Sequence, residues 1–226
     1  MAIIAKASGG TDFQPVPVGI HHAVCYSVID LGTQPSNNPQ FGDARKVLLI
    51  FELPEERGDF TQEGQTENKP RVISKEYTLS IGAKANLRRD LESWRGRPFT
   101  KEEASGFDVT FLAGVNCQLN ITHKEAGSGK TYANITAIVP LGKSTPKMTA
   151  ENDVVVWSMP NDGTIVLPTT VPEWIAKKIE ASAEYQEQIH GVKPTASRPR
   201  NDAGMQAFPT DNLDGDPVDD GEDVPF

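Results

Sequence analysis

Between Val115 and Val139 the apolar residues fall on every second position. Val115, Cys117, Leu119 and Ile121 alternate with Asn116, Gln118, Asn120 and Thr122. Beyond the turn Ala126-Gly127-Ser128-Gly129, residues Ala133, Ile135, Ala137 and Val139 alternate with Tyr132, Asn134 and Thr136. Successive strand side chains point to opposite sides, so a period of two spells a β-hairpin with one apolar face and one amide-rich polar face. Such a hairpin covers a core with one side and meets water with the other.

Upstream the same period recurs. Residues 17–30 alternate loosely and form a first strand ending at Asp30-Leu31-Gly32, and Thr33 to Asp43 is a loop. Arg45 to Leu53 is a second strand with Val47, Leu49, Phe51 and Leu53 on one face. Residues 54–69 are polar and turn-rich. In a third strand, Arg71 to Ile81, residues Ile73, Tyr77, Leu79 and Ile81 alternate with Ser74, Glu76, Thr78 and Ser80. A helix follows from about Ala83 to Arg95, where Leu87, Leu91 and Trp94 make one apolar stripe. Gly96 stands where a C-terminal cap belongs, with Pro98 beyond it. Thr100 to Glu103 has capping-box spacing.

The order strand, strand, strand, helix, strand, strand is that of the five-stranded OB-fold barrel, although other small α+β domains share it. The 17 prolines and 19 glycines agree with a mainly β chain of many turns. Residues 151–167, with Val154-Val155-Val156-Trp157, predict an added strand or hairpin. Pro172 to Ile189 predicts one helix that packs through Trp174, Ile175, Ile179 and Ala183. From Gly191 on, proline, glycine and aspartate dominate, the composition of a disordered tail. The expected division is a barrel domain over 1–150, a packed extension over 151–190 and an acidic tail over 191–226.

Charge follows the same division. The chain of 226 residues carries a net −9, yet seven acids and no base lie between Asp211 and Asp223, and without them the remainder carries −2. Lys69 to Lys101 holds nine bases against three acids, a local +6. Such a split is compatible with a nucleic-acid binder where the total alone is not.

The chain ends Asp219-Asp220-Gly221-Glu222-Asp223-Val224-Pro225-Phe226. These residues resemble the C-terminal tip of bacterial single-stranded DNA-binding proteins, although Gly221 interrupts the acidic run. A flexible arm of this kind presents an aromatic ring whose own α-carboxylate can pair with a cation at a partner's pocket edge, while the acids steer it. The plainer reading is a solubilising terminus. The resemblance further implies a tail that competes with DNA for a basic groove, here the +6 segment. The body is similar to small phage-encoded proteins of replication and recombination. That likeness lies in Gly19 to Cys25, Ile29 to Gln34, Leu87 to Phe99 and Pro172-Glu173-Trp174-Ile175. It implies a phage or prophage protein that binds single-stranded DNA and recruits replication or recombination proteins through its tip, with a homo-oligomer left open.

Single-strand binding needs cations along phosphates and aromatic faces under bases. The candidates are Arg71 and Lys75 on strand three, Lys124 and Lys130 flanking the last hairpin loop, Tyr132, and Asn116, Gln118 and Asn120 on the polar face. Tyr26, Phe41 and Tyr77 are further stacking candidates, though Tyr77 shares parity with apolar residues and reads better as core. Arg88, Arg89, Arg95 and Arg97 serve either phosphates or the helix dipole. Gly127-Ser128-Gly129-Lys130-Thr131 imitates a phosphate-binding loop, but it joins two strands and Lys124 stands where the first glycine belongs.

His21, His22, Cys25, Cys117 and His123 fit no usual zinc spacing. No catalytic constellation stands out, so the sequence predicts neither an enzyme nor a cofactor or metal. It contains no run of about 20 apolar residues to cross a bilayer, and its start turns polar too early for a signal peptide. The expected location is the cytoplasm. Rival functions are a strand-annealing or recombination-mediator protein and a structural or host-interaction protein.

Overall fold

The computed structural model describes residues 14–36, 42–62, 65–127, 129–160, 164–169 and 171–191. Five strands, β1 (Gly19–Gln34), β2 (Ala44–Gln62), β3 (Gln65–Thr78), β4 (Val115–Glu125) and β5 (Thr131–Val139), form an antiparallel sheet in the order β3-β2-β1-β4-β5. A short β6 (Val155–Trp157) adds to β1 in parallel, opposite Ser27 to Ile29. β1 serves several partners because it is long. Its first half pairs with β4 and its second with β2, and register shifts after Cys25 and Asp30 bend it between them.

The chain is mainly β, as the sequence patterns require, but the expected closed barrel is an open sheet. β3 and β5 stand at its two ends, and no ladder joins them among the described residues. Helix α1 (Asn86–Arg95) packs on both instead. Its stripe of Leu87, Leu91 and Trp94 is buried against Phe51, Leu49, Ile135 and Ile138, with the Trp94 ring 5.7 Å from that of Phe51. Each such side chain contributes on the order of 1.5–3 kcal/mol by leaving water. Gly96 ends the helix in the left-handed conformation, as expected of a residue without Cβ. The predicted capping box at Thr100 and Glu103 is present and starts α2 (Lys101–Ser105), followed by a 3-10 turn (Val109–Leu112).

Lys75 stitches the open side. It lies opposite Leu49 in the β2–β3 register and therefore points inward, on the face of Ile73 and Tyr77. Its Nζ donates to Asp90 on α1 and to the Ile135 carbonyl on β5, both at 2.9 Å. The Tyr77 hydroxyl donates to the same Asp90 oxygen, also at 2.9 Å. A second carbonyl of β5, that of Ile138, accepts from Ser93 Oγ at 2.7 Å. Carbonyls that a neighbouring strand would have satisfied are thus satisfied by side chains.

The opposite face of β1 and β2 is also buried. Ile29, Leu31, Leu48 and Ile50 pack under Met159, Ile165, Ile175 and Ile179 of the C-terminal extension. The runs Val28-Ile29 and Val47-Leu48-Leu49-Ile50-Phe51 are continuous for that reason, since both sides of these strands meet apolar neighbours. Gly32, at φ +71°, allows the close approach: a Cβ there would come within 2.7 Å of Met159 Cε and Ser182 Cβ.

Two local expectations need correction. Residues 54–69 are largely strand, because β2 and β3 continue past the core as a paired polar arm with a register shift between Leu53 and Arg57. The 151–167 stretch supplies the added strand that was expected, as the three residues of β6 among the described residues. The single helix over 172–189 is two, α3 (Glu173–Glu180) and α4 (Ala183–His190). Ser182 is extended between them, donates to the Ile179 carbonyl and accepts from the Tyr185 amide.

Replacing Lys75 by Met would keep the stem but leave the Asp90 carboxylate buried with less compensation. We expect an unfolding free energy lower by about 3 kcal/mol, seen as a lower urea midpoint at unchanged slope.

Candidate nucleic-acid interface

The polar positions of the β4–β5 hairpin form one continuous face. Cys117, Leu119, Ile121, Ala133, Ile135 and Ile138 turn into the core, so Gln118, Asn120, Thr122 and Lys124 on β4 turn outward with Tyr132, Asn134 and Thr136 on β5. Lys124 lies directly across from Tyr132 in the register, and Thr122 across from Asn134. A shift between Asn120 and Ile121 makes room for Thr136, whose hydroxyl hydrogen-bonds with the Asn120 side-chain amide and backbone carbonyl at 2.9 and 3.0 Å. None of these outward residues is acidic. Glu125, at the end of β4, has the opposite parity.

Two features border the face. At one end the hairpin loop carries exposed Lys130 beside Gly129, which adopts φ +76°. At the other, a strap over residues 140–152 leaves β5 and crosses the sheet. Asn116 pins it, accepting from the Met148 amide at 2.8 Å and donating to the Met148 carbonyl at 3.0 Å, with His22 Nε2 also on its oxygen at 2.8 Å. Further on, buried Glu52 accepts from the Glu151 and Asn152 amides at 2.7 and 2.9 Å. Ile20, paired with Asn120 on the β1 side, is 70% exposed.

Gln118, Asn120, Lys124, Lys130 and Tyr132 are therefore brought together, while the other candidates are elsewhere. Asn116 is occupied by the strap. Lys75 and Tyr77 face inward on β3, and burial followed by the Asp90 charge holds the Tyr77 phenol well above its ordinary value. A base cannot stack on that ring without unpacking the core. Arg71 has the same inward parity, lies against Gly58 at the base of the polar arm and donates to the Gln14 carbonyl. Tyr26 packs with the second core under the extension, its phenol pushed up to about 12 by burial first and then by Glu52. Phe41 and the terminal residues Asp219, Asp220, Glu222, Asp223, Val224, Pro225 and Phe226 lie outside the described residues.

Six of the nine cations of the +6 segment form ion pairs. Arg88 pairs with Glu92, Arg89 and Lys75 with Asp90, Lys69 with Glu67, and both Arg95 and Arg97 with Glu103. Arg95 also lies over the Phe99 ring, 4.3 Å from its centroid. Glu103 lies just past the segment, so a count from Lys69 to Lys101 omits the acid that neutralises two of its arginines. Ile20 borders the face from β1, and the strap that Asn116 pins carries exposed Lys143 and Lys147, although no local sequence pattern marks these residues.

The cysteines are buried and unpaired, and burial holds both thiols above their ordinary value. His21 bonds to Glu56 and the Pro17 carbonyl, His22 to Asn116, and His123 to the Val16 carbonyl. These side chains form no metal-holding group among the described residues. The glycine-rich loop joins β4 to β5, strand to strand. No helix among the described residues is long and apolar enough to cross a membrane. Comparison with family models, with curated proteins and with solved structures gives no match to this chain.

Glu103 offers a check on the arginine pairing. Arg97 first, then the Thr100 amide and Arg95, hold its carboxyl down to about 2, against an ordinary 4.5. A lowered carboxyl contributes stability above its unfolded value and loses it as pH falls through the folded one. We expect the Glu103 side-chain carbon to titrate near pH 2 by NMR, with Thr100 amide protection lost over the same range. A midpoint near 4.5 would show that the arginines do not hold it.

Proposed function

We propose that this chain binds single-stranded DNA with little sequence preference along the outward face of β4 and β5, and recruits replication or recombination proteins through its C-terminal tip. The observation that carries the reading is the acid-free face itself, with exposed lysines at its loop end. Amides, hydroxyls, a lysine and a tyrosine are the groups that meet bases, sugars and phosphates without discriminating among sequences.

The strand order adds support. β3-β2-β1-β4-β5 with a helix between β3 and β4 is the order of an OB-type barrel parted between its third and fifth strands, a fold that is often only partly closed and binds oligonucleotides. The loop joining the last two strands, which carries Lys130, is one of the loops such folds use. Partner recruitment rests on the likeness of Asp219 to Phe226 to the tip of bacterial single-stranded DNA-binding proteins, and a phage setting on the likeness of the body.

A fluorescent oligo-dT titrated at several salt concentrations tests the reading, with duplex of equal length as the comparison. The expected result is binding of the single strand that weakens steeply with salt, and much weaker duplex binding. Tyr132→Ala should weaken it roughly ten- to a hundredfold, as the loss of one stacked base would. Absence of oligo-dT binding at low salt would refute the proposal.

A further inference from the structure

We infer that the single strand runs lengthwise along the β4–β5 hairpin and is held at both ends by lysine pairs, Lys124 and Lys130 at the loop and Lys143 and Lys147 on the strap. The inference rests on the single-strand reading above and adds the path and the second grip.

The alternative path crosses the outward side of β2 and β3, where OB-type sheets ordinarily take their ligand. Here that side is filled. Leu48 and Ile50 of β2 lie beneath Ile175 and Ile179 of α3, and Lys178 of α3 pairs with Glu76 of β3 at 2.6 Å. A strand could reach this surface only by displacing an apolar cluster. Among the described residues the β4–β5 face has no such cover beyond Asn116.

The strap sets the far end of the path. Because both backbone groups of Met148 bond to the Asn116 side chain, Lys147 is placed beside the Asn116 end of β4. The turn closed by the Thr145 amide on the Gly142 carbonyl, at 2.9 Å, puts Lys143 in the same short loop. Both lysines are exposed, and neither forms an ion pair among the described residues. The nearest acid of the strap, Glu151, is engaged by Arg57. From Gln118 to Lys124 the strand advances about 20 Å at ~3.3 Å per residue, so cations mark both ends of an uncharged floor. Ile20, Asn120 and Tyr132 offer that floor apolar, amide and aromatic surfaces for bases.

The test uses the full chain and oligo-dT. Affinity is measured against salt for wild type, K124A/K130A, K143A/K147A and K177A, the last altering a cation on the covering helix α3. Each phosphate contact contributes about 0.7 to the slope of log K against log salt. Each double variant should therefore lose about 1.4 from the slope and bind on the order of tenfold more weakly, while K177A matches wild type. If wild type binds and K143A/K147A keeps its affinity and slope, the lengthwise path is wrong. The path is equally wrong if K177A loses as much as the strap variant. If wild type itself binds no oligo-dT, the single-strand reading fails first and the path with it.

Discussion

A lysine inside a β-sheet core is costly unless its charge is met, and Lys75 is met from two sides. Asp90 supplies the opposite charge from α1, and the Ile135 carbonyl supplies an acceptor from β5. The triad spans the one place where the sheet does not hydrogen-bond to itself. A closed barrel would pair β3 with β5 there. This chain inserts a helix and lets side chains, Lys75 and Ser93, satisfy the carbonyls left on the β5 edge. The positions of α1, the Trp94–Phe51 contact and the seating of β5 under the polar face all depend on that arrangement.

With the arginines of the α1 region spent on Glu92, Asp90 and Glu103, electrostatic attraction must come from fewer and more scattered cations. A face free of carboxylates then matters more than a face crowded with bases. On the proposed reading, the four lysines at its ends would make binding salt-dependent, while the floor between them stays neutral.

Periodicity revealed what one strand or one helix decides. The β4 alternation, the stripe of α1, the Gly96 cap and the Thr100 box stand where the patterns put them, because each is set by neighbours within a few residues; on β5 the register shift opposite Asn120 reverses the parity, so Ile138 is buried in place of Ala137 and Val139. Lys75 shows where this fails. It sits on the apolar parity of β3, yet its type said surface, and only Asp90, 15 residues away, and Ile135, 60 away, make it interior. The second core was legible from one side only, since Ile175 and Ile179 fell on the packing face of the expected helix. Leu48 and Ile50 fell between the residues assigned to the inner face, and nothing local shows that Ile175 and Ile179 cover them. For the candidate site, the hairpin residues were legible from alternation, whereas the strap lysines were not. A side-chain amide, Asn116, decides where that irregular segment lies.

The covering of β1 and β2 by Met159, Ile165, Ile175 and Ile179 has a consequence for the order in which the chain is made. β1 and β2 emerge first, with apolar side chains on both faces, and the partners of Ile29, Leu31, Leu48 and Ile50 emerge more than a hundred residues later. Until then a nascent chain shows water, or any chaperone nearby, a greasy sheet surface beside an unpaired stretch of β1 edge that β6 has yet to occupy. A chain cut near residue 150 would stay in that condition permanently. The extension is therefore better regarded as the last layer of the fold than as an appendage to a finished domain.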